Sequence, residues 1–212
     1  MTLENIIELD KKYYMNTFGD RTKVCFERGE GIYLYDVSGN KYVDFFSGIA
    51  VNSLGHSHPK VVNAVCEQAR KLMHCSNLYY IKNQALLAQM ICENSVCDRV
   101  FFANSGAEAN EGAIKLARAY FKKKGMPKRD EFICLDKSFH GRTLTTATAT
   151  GQDKYKEPYT PLTPGFKHVP INDMEALESA VNENTCAIML EVVQGESGVH
   201  PITKEYAQFA RE

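Results

Sequence analysis

Short apolar runs alternate with longer amphipathic stretches over the second half of the chain. The runs at 131–136, 166–171 and 186–193 are rich in apolar residues and predict strands that are buried on both faces. Before and between these runs, apolar residues recur at helical spacing, most clearly over 107–124. Strands that alternate with helices are typical of parallel βαβ units, so this part of the chain predicts an α/β fold with a mostly parallel sheet and flanking helices.

The first half of the chain has a different pattern. Residues 23–47 hold three β-rich stretches, with the turn sequence "DVSGNK" between the second and the third, which predicts a small antiparallel β unit. Pro59 begins one predicted helix, and a second runs from about Asn83, a candidate N-cap, to Glu93. The apolar run 99–104, "RVFFAN", predicts one more strand before the longest helix.

Composition places the chain among soluble globular proteins. Of its 212 residues, 44% are hydrophobic and 24% are charged, which provides enough apolar material for a sizeable core. The formal net charge of −1 gives no electrostatic footprint for nucleic acid or for an anionic membrane surface. No run approaches the roughly 20 apolar residues of a membrane span, and the N-terminus resembles neither a signal peptide nor a transit peptide.

The seven cysteines are scattered and include no C-x-x-C pair, so neither a zinc ribbon nor a redox motif is indicated. Unpaired thiols are typical of a reducing compartment, and we expect a cytoplasmic protein without nucleic-acid or membrane partners. His56 and His58 in "GHSHP" provide only two neighbouring ligands, whereas zinc usually takes at least three from the protein. A structural loop is the better interpretation, and no metal site is predicted.

A corner of small residues precedes the longest predicted helix, within "FFANSGAEANEGAIKLARAYFKKKG" at 101–125. Ser105 and Glu108 form an S-x-x-E capping box, so the helix should begin at Gly106 or Ala107. The first N–H groups of a helix have no partner inside it, and glycine lets an anion approach the backbone closely. The corner therefore predicts a phosphate cradle, although a tight strand-to-helix turn without a ligand explains the same residues. Neither the G-x-G-x-x-G nor the P-loop fingerprint is present.

Two further clusters follow predicted strands, which is where ligands of parallel α/β sheets bind. In "DKSFHGRT" at 136–143, Phe139 can stack on a flat ring, and Arg142 can hold a carboxylate through two parallel hydrogen bonds. The other cluster is "LEVVQGESGV" at 190–199, with Glu191, Gln194 and Glu196. A phosphate cradle, an aromatic face, a cation and carboxylates together suit a phosphorylated aromatic cofactor and a carboxylate substrate.

Five stretches resemble class III (subgroup II) pyridoxal-phosphate-dependent aminotransferases and occur in the order of that family. They are "DFFSGIAVNSLGHSHPKVV", "SNLYY", "FFANSGAEANEGAIKLAR", "FHGRT" and "EVVQGESGV", and they extend from about residue 20 to the C-terminus. The resemblance implies fold type I: a large domain on a mostly parallel sheet, a smaller domain made from both chain ends, and a homodimer. On that basis we expect residues 1–57 to be an N-terminal segment with part of the small domain. Residues 58–212 would be the N-terminal part of the large, cofactor-binding domain.

The resemblance also implies a cofactor, pyridoxal 5'-phosphate, and a role for each matching residue. The corner would bind the phosphate through backbone N–H groups, Phe139 would stack on the pyridine ring, and Arg142 would hold the α-carboxylate of the substrate. Glu196 matches a glutamate that pairs with a second, mobile arginine. The expected cofactor-binding residues are Ser105, Gly106, Ala107, Phe139 and His140, and the expected substrate-binding residues are Arg142 and Glu196.

Two family motifs are missing from these 212 residues. The family carries its cofactor on a lysine in an A-K-G-type motif and pairs the pyridine nitrogen with an aspartate in an I-D-E-V-Q-type motif, and neither occurs here. Lys124, which precedes Gly125, lies at the polar end of a predicted surface helix and is no substitute. We therefore expect an incomplete sheet that is truncated at its C-terminus, no catalytic residue, and a chain that does not transaminate alone.

For the complete enzyme, the resemblance implies transfer of the δ-amino group of N2-acetylornithine to 2-oxoglutarate, in arginine biosynthesis. Ile49 stands where ornithine-specific relatives resemble one another in carrying a tyrosine, which favours the acetylated donor. Ornithine, succinylornithine and 4-aminobutyrate stay open as donors. The alternative of a different class is a non-catalytic truncated product that is either inert or a dimerisation partner of a full-length copy.

Overall fold

The chain forms two compact units, Met1–Lys82 and Asn83–Glu212, in a computed structural model that describes residues 1–212. No helix combines the length and the apolar character that a membrane span requires. The domain boundary that the resemblance places after residue 57 stays a prediction.

The first unit contains the small antiparallel sheet that the sequence predicts, with strand order β1-β2-β3. Its strands are β1 (Phe26–Glu30), β2 (Tyr33–Asp36) and β3 (Lys41–Val43). Asp36 closes the turn between β2 and β3, because its carboxylate accepts the backbone N–H groups of Ser38 and Asn40. The predicted antiparallel unit is therefore confirmed.

Helix α1 (Leu3–Tyr13) has no counterpart among the predicted elements. It begins at a capping box in which Thr2 Oγ1 accepts the N–H of Asn5 and the Asn5 side chain accepts the N–H of Thr2. An asparagine takes the place of the usual glutamate or glutamine at this position. The start signal therefore differs from the one that a sequence search looks for.

A left-handed turn, α2 (Ser47–Ala50), follows the small sheet, with a φ of 49° at Ser47. Asp44 fixes the turn: its Oδ1 accepts the N–H groups of Phe46 and Ser47, while its Oδ2 lies 2.6 Å from His56 Nε2. The hydrogen bond with His56 is the largest cause that holds the pKa of Asp44 below its usual range. The ring of His56 is thus part of the loop structure.

Two helices follow in the chain. Helix α3 (Pro59–Lys71) begins at the predicted proline. Helix α4 (Lys82–Glu93) begins one residue before Asn83, so Asn83 lies inside its first turn rather than at the N-cap. Polar side chains are common at both positions, so polarity alone does not locate the first residue of a helix.

The second unit is the α/β part of the chain, and a parallel three-stranded sheet with the order β5-β4-β6 lies at its centre. Its elements are α5 (Gly106–Lys123), β4 (Glu131–Leu135), α6 (Leu144–Ala149), two 3₁₀ helices (Asp153–Tyr155 and Glu157–Tyr159), β5 (Phe166–Val169), α7 (Met174–Ala180), β6 (Thr185–Met189), β7 (Val193–Gln194), β8 (His200–Pro201) and α8 (Lys204–Arg211). Strands β7 and β8 form a separate antiparallel pair. The predicted parallel sheet with flanking helices is confirmed.

The strand predicted at 99–104 does not form. These residues are irregular, and no strand of the chain pairs with them. Phe101 instead packs on helix α5, where a Cβ built on Gly112 would lie only 2.7 Å from its ring. An apolar run becomes a strand only beside a neighbour that accepts and donates its backbone hydrogen bonds. The run at 186–193 also differs from the prediction, because β6 ends at Met189.

Strand β4 carries the core of this unit on both faces, since alternate side chains of a strand point to opposite sides. The cluster that joins β4 to α7 and α8 contains Ile133, Leu135, Val169, Leu177 and Tyr206. The cluster that joins it to α5 and α6 contains Ile114, Phe132, Cys134 and Ala149. Burial raises the pKa of the Cys134 thiol to about 12. Strand β4 is thus the middle of three layers, as its apolar sequence predicts.

Ile114 and Leu116 test this packing, because they lie on one helix and are 2% and 71% exposed. We expect Ile114→Ala to lower the free energy of unfolding by about 2–5 kcal/mol, since it leaves a cavity against β4. Leu116→Ala should change it by less than about 0.5 kcal/mol. Urea denaturation followed by circular dichroism measures both values, and equal effects would contradict the assigned core.

Candidate functional site

The N-terminus of helix α5 is open to a ligand. Ser105 is the N-cap, and its Oγ accepts the N–H of Glu108 at 3.1 Å. In the predicted capping box, Glu108 would accept the N–H of the N-cap residue Ser105. Its carboxylate instead accepts the N–H of the preceding residue, Asn104, at 2.7 Å. The N–H groups of Gly106 and Ala107 have no partner within the helix, and a Cβ built on Gly106 would meet no atom within 4 Å. This corner has the donors and the space that an anion needs.

The loop after β4 lies directly against this corner. Gly141 is the point of closest approach, because a Cβ built on it would lie 2.8 Å from Ala107 Cβ and 2.6 Å from Thr146 Oγ1. Its φ of 132° is one that residues with a side chain rarely adopt. Only glycine therefore lets the segment 139–143 reach the first turn of α5.

Two side-chain hydrogen bonds fasten the loop to the helix. Asn110 Nδ2 donates to the carbonyl oxygen of His140 at 2.8 Å, and the Thr143 hydroxyl donates to Glu111 Oε1 at 2.5 Å. No motif in the sequence indicates Asn110 or Glu111 as part of the site. Both bonds join residues about 30 positions apart, and such contacts leave no local pattern in a sequence.

Phe139, Arg142 and Tyr155 form a cluster of two rings and a cation. The guanidinium carbon of Arg142 lies 5.6 Å from the centroid of the Phe139 ring and 3.9 Å from that of Tyr155. The two rings meet edge to face with their centroids 5.7 Å apart. The Tyr155 hydroxyl donates to Glu196 Oε1. Tyr155, which the sequence does not indicate, joins the cluster from the 3₁₀ helix Asp153–Tyr155.

Glu191 follows β6 and holds the backbone of Phe139. Its Oε1 accepts the Phe139 N–H at 2.8 Å. Burial raises the pKa of the Glu191 carboxyl, the hydrogen bond from Phe139 opposes this, and the charge of Glu196 adds to it. Through Glu191 and Glu196, the segment after β6 contacts the loop after β4 and the residues around it.

Two buried polar side chains of these segments each keep one atom without a partner. His140 is 5% exposed, its backbone N–H donates to Thr150 Oγ1, and its Nε2 has no partner. Burial first, and the charge of His168 second, lower the pKa of His140 to about 4. The Gln194 amide donates to the carbonyl oxygen of Asp136 at 3.0 Å, while its Oε1 has no partner. Unpaired buried polar atoms are uncommon in folded proteins and call for an explanation such as a further bound group.

The structure brings the three predicted clusters together. The start of α5 meets the loop after β4 at Gly141, and this loop meets the segment after β6 at Glu191. The site residues that the sequence predicts and that these contacts unite are Ser105, Gly106, Ala107, Phe139, His140, Arg142 and Glu196. Their roles in ligand binding stay predictions.

Gly141→Ala tests the close approach. The added Cβ would overlap Ala107 and Thr146, so we expect the free energy of unfolding to fall by about 1–3 kcal/mol. Gly195→Ala is the matched control, because a Cβ there meets no atom within 4 Å. The control should stay within about 0.5 kcal/mol of the parent in urea denaturation. A Gly141→Ala variant as stable as the control would refute the packing.

The low pKa of His140 makes stability depend on pH. Its folded-state pKa of about 4 lies below the value of about 6.5 for an exposed histidine, so the unfolded chain binds more protons between these values. The free energy of unfolding should be highest above this window and fall as the pH drops through it. The pKa of His168 is also lowered, first by burial, and acts in the same direction.

His140→Gln removes the titrating group and should flatten this pH dependence. Urea denaturation of the parent and the variant across the same pH range measures the two slopes. If the slopes are the same, the buried imidazole does not couple folding to protonation.

Most of the chain matches the protein-family model described as "Aminotransferase class-III", over residues 14–212. The chain is 55% identical over 207 residues to the acetylornithine aminotransferase of Caldanaerobacter subterraneus subsp. tengcongensis. The matched region covers 98% of this chain and 52% of that protein. The chain spans about half the length of the curated relatives that it matches.

Solved structures show the same likeness. An ornithine aminotransferase from Toxoplasma gondii, with partial occupancy of PLP at its active site, has a TM-score of 0.93 at 31% identity over 99% of this chain and 50% of that chain. The acetylornithine aminotransferase from Elizabethkingia anophelis has a TM-score of 0.81 at 32% identity over 100% of this chain and 50% of that chain. These likenesses confirm the expected fold type I architecture. Together with the family match over almost the whole sequence, they show that the chain belongs to the class-III aminotransferase family.

Proposed function

We propose that the chain forms the part of a pyridoxal-phosphate-dependent aminotransferase that binds the cofactor and the α-carboxylate of the substrate. The observation that carries this proposal is the close approach of Gly141 to Ala107. This approach brings the loop with the Phe139 ring and the Arg142 cation next to the open corner of α5. Membership of the class-III family supports the same activity.

The residues present fit pyridoxal 5'-phosphate in charge and in the kinds of groups that they offer. The free N–H groups of Gly106 and Ala107, at the positive end of a helix dipole, suit a phosphate. Phe139 offers a ring for stacking, and the unpaired Nε2 of the neighbouring His140 is consistent with a further group in the site. When bound, the cofactor supplies the carbonyl group that takes up an amino group and returns it to a keto acid.

Arg142 is suited to a substrate carboxylate because no protein carboxylate occupies it. Its side chain is exposed, and none of the ion pairs of the chain includes it. Its contact with the Tyr155 ring leaves the N–H groups at the edge of the guanidinium plane available for two parallel hydrogen bonds. The α-carboxylate of a δ-amino donor and the side-chain carboxylate of 2-oxoglutarate both lie several bonds from the carbon that reacts, so Arg142 would bind each of them in turn.

N2-acetylornithine is the amino donor that we propose, with 2-oxoglutarate as the acceptor and arginine biosynthesis as the context. The names of the curated relatives support this choice, since several acetylornithine aminotransferases are 50% identical or more. Ornithine is the second candidate, because matched solved structures at 31–32% identity are ornithine aminotransferases. Succinylornithine and 4-aminobutyrate are further candidates within the family.

The complete protein would work as a cytoplasmic homodimer. Residues 1–57 would contribute to its small domain, and residues 58–212 would form the N-terminal part of the large domain. Large apolar side chains are exposed in this chain, among them Phe45 at 95%, and such surfaces are typical of regions that other parts of a protein cover.

A fusion protein tests this function. Residues 1–212 are joined to the part of the Caldanaerobacter enzyme that follows its matched residues. With pyridoxal 5'-phosphate and 2-oxoglutarate, the fusion should form glutamate from N2-acetylornithine faster than from the three other donors. Circular dichroism reports whether it folds. A folded fusion that forms no glutamate from any donor, under conditions in which the intact Caldanaerobacter enzyme does, would contradict the proposal.

Within the fusion, Arg142→Ala should raise KM for both 2-oxoglutarate and the amino donor by about ten- to a hundredfold, because charge-assisted hydrogen bonds are lost. Arg70→Ala, on an exposed part of helix α3, is the control and should leave both constants unchanged. Steady-state kinetics with each substrate varied in turn provides the measurement. An unchanged KM would exclude Arg142 as the carboxylate ligand.

A further inference from the structure

We propose that Tyr155 is a positioning residue that keeps Arg142 apart from Glu196, and so keeps the arginine available to a substrate carboxylate. The inference rests on the proposed role of Arg142. It extends that role to a side chain outside the stretches that resemble the family.

Tyr155 contacts two cations with its ring and an anion with its hydroxyl. One of the cations is the neighbouring Lys154, whose Nζ lies 4.5 Å from the ring centroid. The guanidinium carbon of Arg142 lies 3.9 Å from the same centroid, whereas the Tyr155 hydroxyl donates to Glu196 Oε1. The edge-to-face contact with Phe139 fixes the plane of the ring. The tyrosine therefore offers each charged group a partner other than the opposite charge.

Arg142 and Glu196 do not pair, although both contact the same tyrosine. Neither belongs to any ion pair of the chain, and both side chains are exposed. Two long exposed side chains of opposite charge that contact the same tyrosine can meet by a change of rotamer. The ring face and the hydroxyl of Tyr155 compete with that ion pair, because each holds one of its members.

Tyr155 can act in this way because its own segment is tied to the loop that it serves. Its backbone N–H donates to the carbonyl oxygen of Gln152 at 3.1 Å. The Gln152 side chain donates in turn to the carbonyl oxygen of Ser138 at 3.2 Å, next to Phe139. Gln152 therefore links the tyrosine to the segment that carries Phe139 and Arg142.

Loss of the hydroxyl should let the two charges pair. In Tyr155→Phe the ring still faces Arg142, but Glu196 loses its donor and becomes free to bind the guanidinium. A substrate carboxylate would then have to displace Glu196 before it could bind. Glu196→Gln removes the competing charge, so it should suppress the effect of Tyr155→Phe.

The first measurement uses the 212-residue chain without any ligand. Phenylglyoxal modifies arginine side chains that are free, and peptide mass spectrometry gives the rate at Arg142. Tyr155→Phe should slow this modification by about fivefold, the factor that corresponds to a favourable exposed ion pair. Tyr159→Phe, in the neighbouring 3₁₀ helix, is the matched control and should react like the parent.

The double variant separates charge pairing from a structural effect. In a Glu196→Gln background, Tyr155→Phe should cause no further change at Arg142. A slowing of equal size in both backgrounds would overturn the proposal, and so would an unchanged rate in Tyr155→Phe alone. Circular dichroism of every variant shows that the chains compared are folded.

The second measurement links this effect to ligand binding in the fusion protein. Glutarate carries two carboxylates but no amino or keto group, so calorimetry measures its affinity without turnover. Tyr155→Phe should weaken glutarate binding by about fivefold, and Glu196→Gln should abolish that difference. An affinity that Tyr155→Phe leaves unchanged would overturn the link to substrate binding. Absence of transamination in the parent fusion, with the phenylglyoxal result intact, would contradict the proposed function alone.

Discussion

The candidate site depends on the distance between two backbones at Gly141. At this position the loop after β4 comes so close to Ala107 that a side chain would overlap the first turn of α5. The hydrogen bonds from Asn110 and Thr143 orient the loop, but they do not create the space that it needs. One residue without a side chain therefore sets the separation between a set of free backbone donors, an aromatic ring and a cation.

Strand β4 gives this arrangement a rigid base. It is buried on both faces, and helix α5 packs on one of them through Ile114. The start of α5 and the loop that carries Phe139 are thus attached to the same strand, which keeps their relative position fixed. Arg142 and Glu196 are long, exposed side chains that contacts with Tyr155 hold in place. A fixed frame with an adjustable cation suits the proposed role of Arg142 in holding more than one carboxylate.

Local patterns in the sequence predict the local features of this fold. The features that the sequence does not predict correctly depend on contacts between residues that are far apart in the chain. The buried strands follow from continuous apolar runs, and the start of α5 follows from the cap at Ser105. Residues 99–104 are as apolar as those strands, yet no neighbour pairs with them. The sequence does not indicate Tyr155 for a similar reason. A 3₁₀ turn and the side chain of Gln152 position it against Arg142. No spacing rule along the chain encodes either of these outcomes.

The buried thiol of Cys134 allows the opening of strand β4 to be followed by chemical labelling. With its pKa near 12, it forms almost no thiolate at neutral pH, whereas Cys66 and Cys97 are exposed to solvent. Alkylating reagents will therefore label those two cysteines first and reach Cys134 only when the strand separates from its helices. The rate at which this thiol becomes labelled reports how often the layer that carries the site comes apart, without any probe added to the protein.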